Sequence, residues 1–180
     1  MANLKFTKHE AARRQLELAV RLYFNDSDPV STHTLAGAAN ELLRDLAKHS
    51  GQSPLLKDQA LQIVRPEHRK AVAAKLQEAQ NFFKHADRDP DGVLSFDPGQ
   101  TELMLLDSCW AYRRLVGERL PVLQTFELWS ACTWAQEFIA YPGWEDTLEL
   151  ARRQVPTMSK AAFFDRFVAI GQSADLRSDA

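Results

Sequence analysis

Apolar side chains recur every three or four residues along most of the chain, which is the spacing of amphipathic α-helices. In the first such segment, Thr7 and Glu10 have the spacing of a capping box at a helix start. The stripe that follows consists of Ala12, Leu16, Ala19, Val20, Tyr23 and Phe24. No segment has the alternation of a β-strand, so the pattern predicts an all-α bundle of seven to eight helices.

Breaks rich in Asn, Asp, Pro and Gly separate the predicted helices. The helices are expected over residues 8–24, 31–50, a short segment from 53, 66–86, 99–116, 121–140, 144–155 and a last one from 159. The tail from about residue 172 is expected to fray. Because no linker divides the chain, residues 1–180 are interpreted as one domain, with the first, second, fourth, fifth and sixth helices forming the core.

Two of these helices have faces that invite close packing. The sixth is apolar on nearly every side, as in a central helix or one at a subunit interface. The second carries small residues at positions 36–39 beside its apolar stripe, which allow another helix to approach closely. The stripe of the second helix is Leu35, Ala38, Ala39, Leu42, Leu43, Leu46 and Ala47. From both features we predict a homodimer.

Composition narrows the class of protein. The 180 residues are 45% hydrophobic and 26% charged with a net charge of -2, which favours a globular chain with no overall attraction to nucleic acid or membrane. We expect no signal peptide, no spanning helix and no membrane partner. Cys109 and Cys132 lie in apolar helical patterns and are predicted to be buried free thiols. A cytoplasmic location fits these features.

The densest group of reactive side chains lies between residues 80 and 92. Asn81 and His85 are four residues apart and therefore neighbours on one helix face. That face is opposite the apolar stripe of the fourth helix, and Arg88 lies toward the same side. A histidine beside an amide and a guanidinium can transfer protons or hold a phosphate, so we assign Asn81, His85 and Arg88 as candidate catalytic residues.

The sequence Asn-Phe-Phe-Lys-His at the end of this helix resembles the motif of the HEPN superfamily. Members are small helical bundles, and many carry an Arg-polar-x-x-x-His signature and pair as dimers with both motifs at one cleft. The resemblance implies that Asn81 takes the polar position and that His85 would act at the scissile phosphate of RNA, without a metal. Gln80 stands where the family has arginine, and glutamine supplies no cationic fork for a phosphate. The resemblance therefore favours the helical dimer over the nuclease. The longer stretch 81–91 also resembles segments of bacterial helical proteins of similar size.

A second interpretation of this region is a calcium site. Asp87, Asp89 and Asp91, followed by Gly92, match the first half of an EF-hand loop, where oxygen ligands alternate along the chain. Position twelve of such a loop is a bidentate Glu, and here it is Pro98. On this interpretation, any Ca²⁺ site at these three aspartates would be weak. No other cofactor is expected.

A third interpretation is structural. The aspartates would form a solvated connector, and His85 would interact with the carbonyl groups at its helix end. Six acidic and one basic residue lie between residues 87 and 107, which disfavours phosphate there, whereas five basic and two acidic residues between 65 and 84 suit an acidic partner or a solvated face. The remaining histidines, each expected at the surface or as a cap, are His9, His33, His49 and His68.

The leading hypothesis is a non-enzymatic interaction or regulatory module with a HEPN-like bundle, binding a protein partner or RNA. It depends on the incomplete signature at Gln80. The alternatives are a metal-independent ribonuclease using His85 and a cation-binding module at residues 87–97.

Overall fold

The computed structural model describes residues 3–51, 66–85, 87, 89–133 and 145–178. Within these ranges the chain forms α-helices and two short 3₁₀ turns and no β-strand, which confirms the all-α prediction. The 3₁₀ turns are Pro66–His68 and Val155–Thr157. The helices are α1 (Lys8–Phe24), α2 (Pro29–His49), α3 (Arg69–Phe82), α4 (Gly99–Val116), α5 (Pro121–Thr133), α6 (Glu145–Gln154) and α7 (Lys160–Ser178).

Helix α1 follows the sequence pattern closely. The Thr7 hydroxyl accepts a hydrogen bond from the Glu10 amide, and the Glu10 carboxylate accepts one from the Thr7 amide, which completes the predicted capping box. All six residues of the predicted stripe are buried. They pack against α2 and, at the C-terminal end, against an aromatic cluster in which the rings of Tyr23 and Phe24 contact Phe126 edge to face.

Helix α2 begins two residues earlier than expected, because Pro29 occupies its first position and the Asp28 carboxylate caps the Ser31 amide at 2.7 Å. It packs against α1 on one side and α4 on the other. Because α2 is covered on two sides, residues outside its apolar stripe are buried too, including the polar residues His33 and Asn40. Leu35 and Leu42, which belong to the predicted stripe, are only half-buried.

Helix α5 is the central helix of the described bundle and contacts α1, α4, α6 and α7. This position accounts for its apolar character on nearly all sides. The small residues of α2 also have a partner within the chain, since Gly37 lies against the side chain of Gln80 on α3. Both features that suggested a homodimer are therefore used inside one chain. Cys109 and Cys132 are buried free thiols, as predicted.

Several predicted helix ends are displaced. Helix α3 starts at Arg69 after the 3₁₀ turn and ends at Phe82, so it is shorter at both ends than expected. Helix α4 has the predicted bounds and ends at Gly117, whose φ of 75° suits glycine. Helix α7 continues to Ser178, and fraying of the tail from about residue 172 stays a prediction. The short helix expected from residue 53 and the end of the sixth predicted helix lie outside the described residues. No helix among the described residues is long and apolar enough to cross a membrane.

Candidate functional site

Asn81 and His85 lie on the surface at the C-terminal end of α3. The backbone amide of His85 donates to the carbonyl of Asn81 at 3.0 Å, which keeps the two residues one helical turn apart although the α-helix ends at Phe82. The His85 side chain is 59% exposed, and its Nδ1 lies 4.0 Å from a carboxylate oxygen of Asp87. The predicted neighbourhood of Asn81 and His85 is thus present as an open surface of one protomer.

Two other polar side chains of the HEPN-like motif, Gln80 and Lys84, bond to residues of α2. Gln80, at the arginine position, turns toward α2, where its Nε2 donates to the carbonyl of Gly37 at 3.2 Å. The Lys84 ammonium pairs with Glu41 at 3.1 Å. Arg88, the third predicted catalytic residue, lies outside the described residues. Gln80 and Lys84 therefore both contribute to the contact between α3 and α2.

The aspartate loop has the shape of a turn at its Asp89–Gly92 end. The amide of Gly92 donates to the carbonyl of Asp89 at 3.1 Å, and the Asp87 side chain is 75% exposed. Among the residues that the structure describes, no group of three His, Cys, Asp or Glu side chains is placed to hold a metal ion. Asp87, Asp89 and Asp91 are thus not gathered into a preformed ligand set, and calcium binding stays a prediction.

The sequence did not predict the environment of His33, a histidine that lies in the interior of the protein. We expected it at the surface or as a cap, and that expectation was wrong, because its side chain is fully buried between α2 and α4. Its Nδ1 shares a 3.0 Å hydrogen bond with the Thr101 hydroxyl, and its ring meets Phe83 and Phe96 edge to face. Burial, with a smaller effect of the nearby Lys84 charge, lowers the pKa of His33 to about 4. The imidazole is therefore neutral at pH 7. His9, His49 and His68 are exposed, as predicted.

A cavity of about 240 Å³ lies beside Thr101, where α1 ends and three other helices begin. Its wall includes the first residue of α2, Pro29, and the first residue of α7, Lys160. The first turn of α4 supplies Thr101 and Glu102. The complete lining is Tyr23, Asp26, Ser27, Pro29, Thr32, Pro98, Thr101, Glu102 and Lys160.

A hydrogen-bond network fixes the charged groups of this cavity. The indole Nε1 of Trp129 donates to the Tyr23 hydroxyl oxygen at 3.0 Å, and the Tyr23 hydroxyl donates to a carboxylate oxygen of Glu102 at 2.7 Å. The Lys160 ammonium lies 4.0 Å from the centroid of the Tyr23 ring and donates to Asp26 at 3.0 Å. Burial and the Glu102 charge raise the pKa of the Tyr23 phenol well above its usual range, so this hydroxyl remains a donor.

Two further carboxyl groups are buried in the core away from the cavity. Asp107 on α4 accepts from the Asn40 amide at 2.9 Å, and burial raises its pKa to about 7. Glu127 on α5 pairs with Arg113 at 2.7 Å, and burial outweighs that attraction and also raises its pKa to about 7. Neither carboxyl lines a described cavity, so we interpret both as structural.

Comparisons of the chain with models of protein families, with curated proteins and with solved structures give no match. The interpretation of both candidate sites therefore depends on their residues and geometry alone, and the HEPN-like resemblance stays a prediction.

Proposed function

We propose that this protein is a non-enzymatic interaction or regulatory module built on a HEPN-like helical bundle. The observation that supports this proposal is the orientation of Gln80. The motif already lacks the arginine that would stabilise a phosphate in the transition state, and the residue in its place points into the α2–α3 contact. His85 lies with Asn81 and Asp87 on an open surface, where water screens charges. The neighbouring ammonium of Lys84 is paired with Glu41.

Ribonuclease assays test the proposal directly. Purified protein is incubated with fluorescently labelled single-stranded RNA in the presence of EDTA, beside the variants His85→Ala and His49→Ala. His49 is an exposed histidine near the end of α2 and serves as the matched control. We expect the same background signal from all three proteins. Cleavage that persists in His49→Ala and disappears in a folded His85→Ala would overturn the proposal and favour the metal-independent ribonuclease.

The homodimer is part of the proposal and has a separate test. In catalytic HEPN-type dimers both motifs face one cleft, so the oligomeric state matters for either function. Multi-angle light scattering distinguishes the 20.4 kDa single chain from a species of twice that mass. A dimer whose mass persists on dilution fits the proposal, whereas a single-chain mass at all concentrations removes the cleft between two copies of His85.

A further inference from the structure

We propose that the outer face of α1, centred on Arg14, Leu18 and Arg21, is a docking surface for an acidic amphipathic helix of a partner protein. This inference rests on the proposed function, because it names the chemistry of the partner that an interaction module would bind. The surface is on a different helix from Asn81 and His85. It is supported by the positions of two arginines, by the rings that orient them and by the exposed apolar side chains beside them.

Three exposed side chains follow one line along α1. Arg14, Leu18 and Arg21 are separated by four and three residues, so they lie on the same side of the helix. The buried face of α1, which includes Leu16 and Tyr23, is on the opposite side. Leu18 is 48% exposed between the two arginines. At about 1.5 Å per residue, the two arginines are about 10 Å apart along the helix axis.

Each of the two guanidinium groups is stacked on an aromatic ring. The Cζ atom of Arg14 lies 4.8 Å from the ring centroid of Phe6, and that of Arg21 lies 5.5 Å from the ring centroid of Phe164 on α7. Stacking occupies the flat face of a guanidinium and leaves the N–H groups in its plane able to donate to a carboxylate. The rings also restrict the side-chain rotamers, so less conformational entropy is lost when a partner binds.

Neither guanidinium forms an ion pair with a carboxylate among the residues that the structure describes. The adjacent Arg13 differs, since it lies 3.6 Å from both Glu17 and Glu118. The other acidic side chain of this segment, Glu10, belongs to the capping box. Residues 3–25 carry five basic and two acidic side chains in a protein whose net charge is -2. The outer face of α1 is therefore complementary to a partner of negative charge.

An acidic helix fits this face better than a nucleic acid does. A second helix packed along α1 has the same rise per residue, so two carboxylates seven residues apart can reach both arginines at once. Apolar side chains on that helix would cover Leu18 and the ring of Phe6, which is 51% exposed, and would exclude water from the ion pairs. Nucleic acid affinity depends on many phosphate contacts, whereas this face presents two guanidinium groups.

The probes for the test are alanine-based helical peptides of about twenty residues, each with two glutamates and a leucine on one face. The glutamates are separated by four, seven or eleven residues, and all three separations keep them on that face. A control peptide has glutamine in place of both glutamates at the seven-residue separation, and an oligouridylate RNA tests the other anionic partner. The readout is the pair of side-chain Nε–H signals of Arg14 and Arg21 in NMR spectra of ¹⁵N-labelled protein, assigned with Arg14→Lys and Arg21→Lys.

We expect the peptide with the seven-residue separation to shift both signals saturably, with a dissociation constant below about 1 mM, and to bind more tightly than the other two. Arg14→Gln and Arg21→Gln should each weaken that binding by about fivefold or more, because each removes a charged donor. Leu18→Ala should weaken it by about threefold, because it removes apolar surface from the contact. The control variants Arg44→Gln on α2 and Leu150→Ala on α6 change exposed positions elsewhere and should bind like the wild type. Circular dichroism verifies that the variants remain folded.

Four outcomes would overturn the inference. The first is the absence of a saturable shift with all three glutamate peptides at about 5 mM, well above the expected dissociation constant. The second is binding of the glutamine peptide as tight as that of the best glutamate peptide. The third is RNA binding at this face that is tighter than the binding of any peptide. The fourth is a wild-type dimer that Arg14→Gln or Arg21→Gln converts into a monomer, which would assign the face to a second copy of the chain.

The peptide titrations and the ribonuclease assays have separate readouts. RNA cleavage that requires His85 would refute the proposed function without changing the peptide titrations. Loss of peptide binding would leave the background signal of the ribonuclease assay as it is. The proposed function and the docking surface can therefore fail separately.

Discussion

The buried carboxyl group of Asp107 should make the stability of the protein depend on pH, and this dependence is the sharpest test of the core described above. Its side chain is 2% exposed, one oxygen accepts from Asn40, and Oδ1 finds no hydrogen-bond partner among the described residues. A buried carboxylate with so few donors is poorly stabilised as an anion, and its pKa rises from 3.8 to about 7. The substitution Asp107→Asn removes the charge and keeps the shape and the acceptor for Asn40.

The direction in which pH changes the free energy of unfolding follows from proton linkage. Below pH 3.8 the carboxyl is protonated in both the folded and the unfolded chain, so it adds no pH dependence. As the pH rises toward 7, the unfolded chain ionises freely and the folded chain does so only at a cost, so the free energy of unfolding falls. At about 1.4 kcal/mol for each pKa unit, the loss by pH 8 reaches up to about 4 kcal/mol.

Urea unfolding of wild type and Asp107→Asn, at pH values from about 4 to about 8, measures this effect as a difference between two proteins. Glu127 titrates in both proteins and cancels in the difference. We expect similar stabilities near pH 4 and an Asp107→Asn protein that is more stable by up to about 4 kcal/mol near pH 8. Asp165→Asn, which removes a carboxylate at an exposed position on α7, is the control variant. A stability difference for Asp107→Asn that stays constant across the pH range would refute the reasoning.

Two further substitutions, each with a control variant, test the contribution of helix α1. Leu16→Ala removes a fully buried side chain and should lower the free energy of unfolding by about 3 kcal/mol. Its control, Leu18→Ala, lies at a position 48% exposed on the same helix and should lower it by less than about 1 kcal/mol. Equal losses in urea unfolding would contradict the assigned core face. Thr7→Ala removes the hydroxyl of the capping box and should lower the free energy of unfolding by about 1 kcal/mol, measured as a melting temperature about 2–4 °C lower. Its control, Thr7→Ser, keeps the hydroxyl and should retain the cap. A Thr7→Ser protein as unstable as Thr7→Ala would show that loss of the hydroxyl is not the cause.

The parts of the fold that the sequence predicted depend on near neighbours along the chain. The capping box of α1 joins Thr7 to Glu10, the stripe of α1 repeats at helical spacing, and the end of α4 needs a positive φ that Gly117 tolerates. The all-α class and the bounds of α4 follow from such patterns. The end of α3 was placed four residues too far, because the turn around Phe83 keeps helix-like hydrogen bonds after the regular helix has ended.

What the tertiary structure alone decided involves residues that are distant in sequence. The contact between Gln80 and Gly37 spans 43 residues, the bond between His33 and Thr101 spans 68, and the bond between Tyr23 and Glu102 spans 79. No periodicity within a helix predicts such pairs, since they depend on which helices pack together and at what rotation. The sequence by itself therefore determined the helices and the residues that could do chemistry. Packing turned Gln80 inward, buried His33 and brought Glu102 and Lys160 to one cavity, because desolvation and hydrogen bonding between separate helices fix those positions.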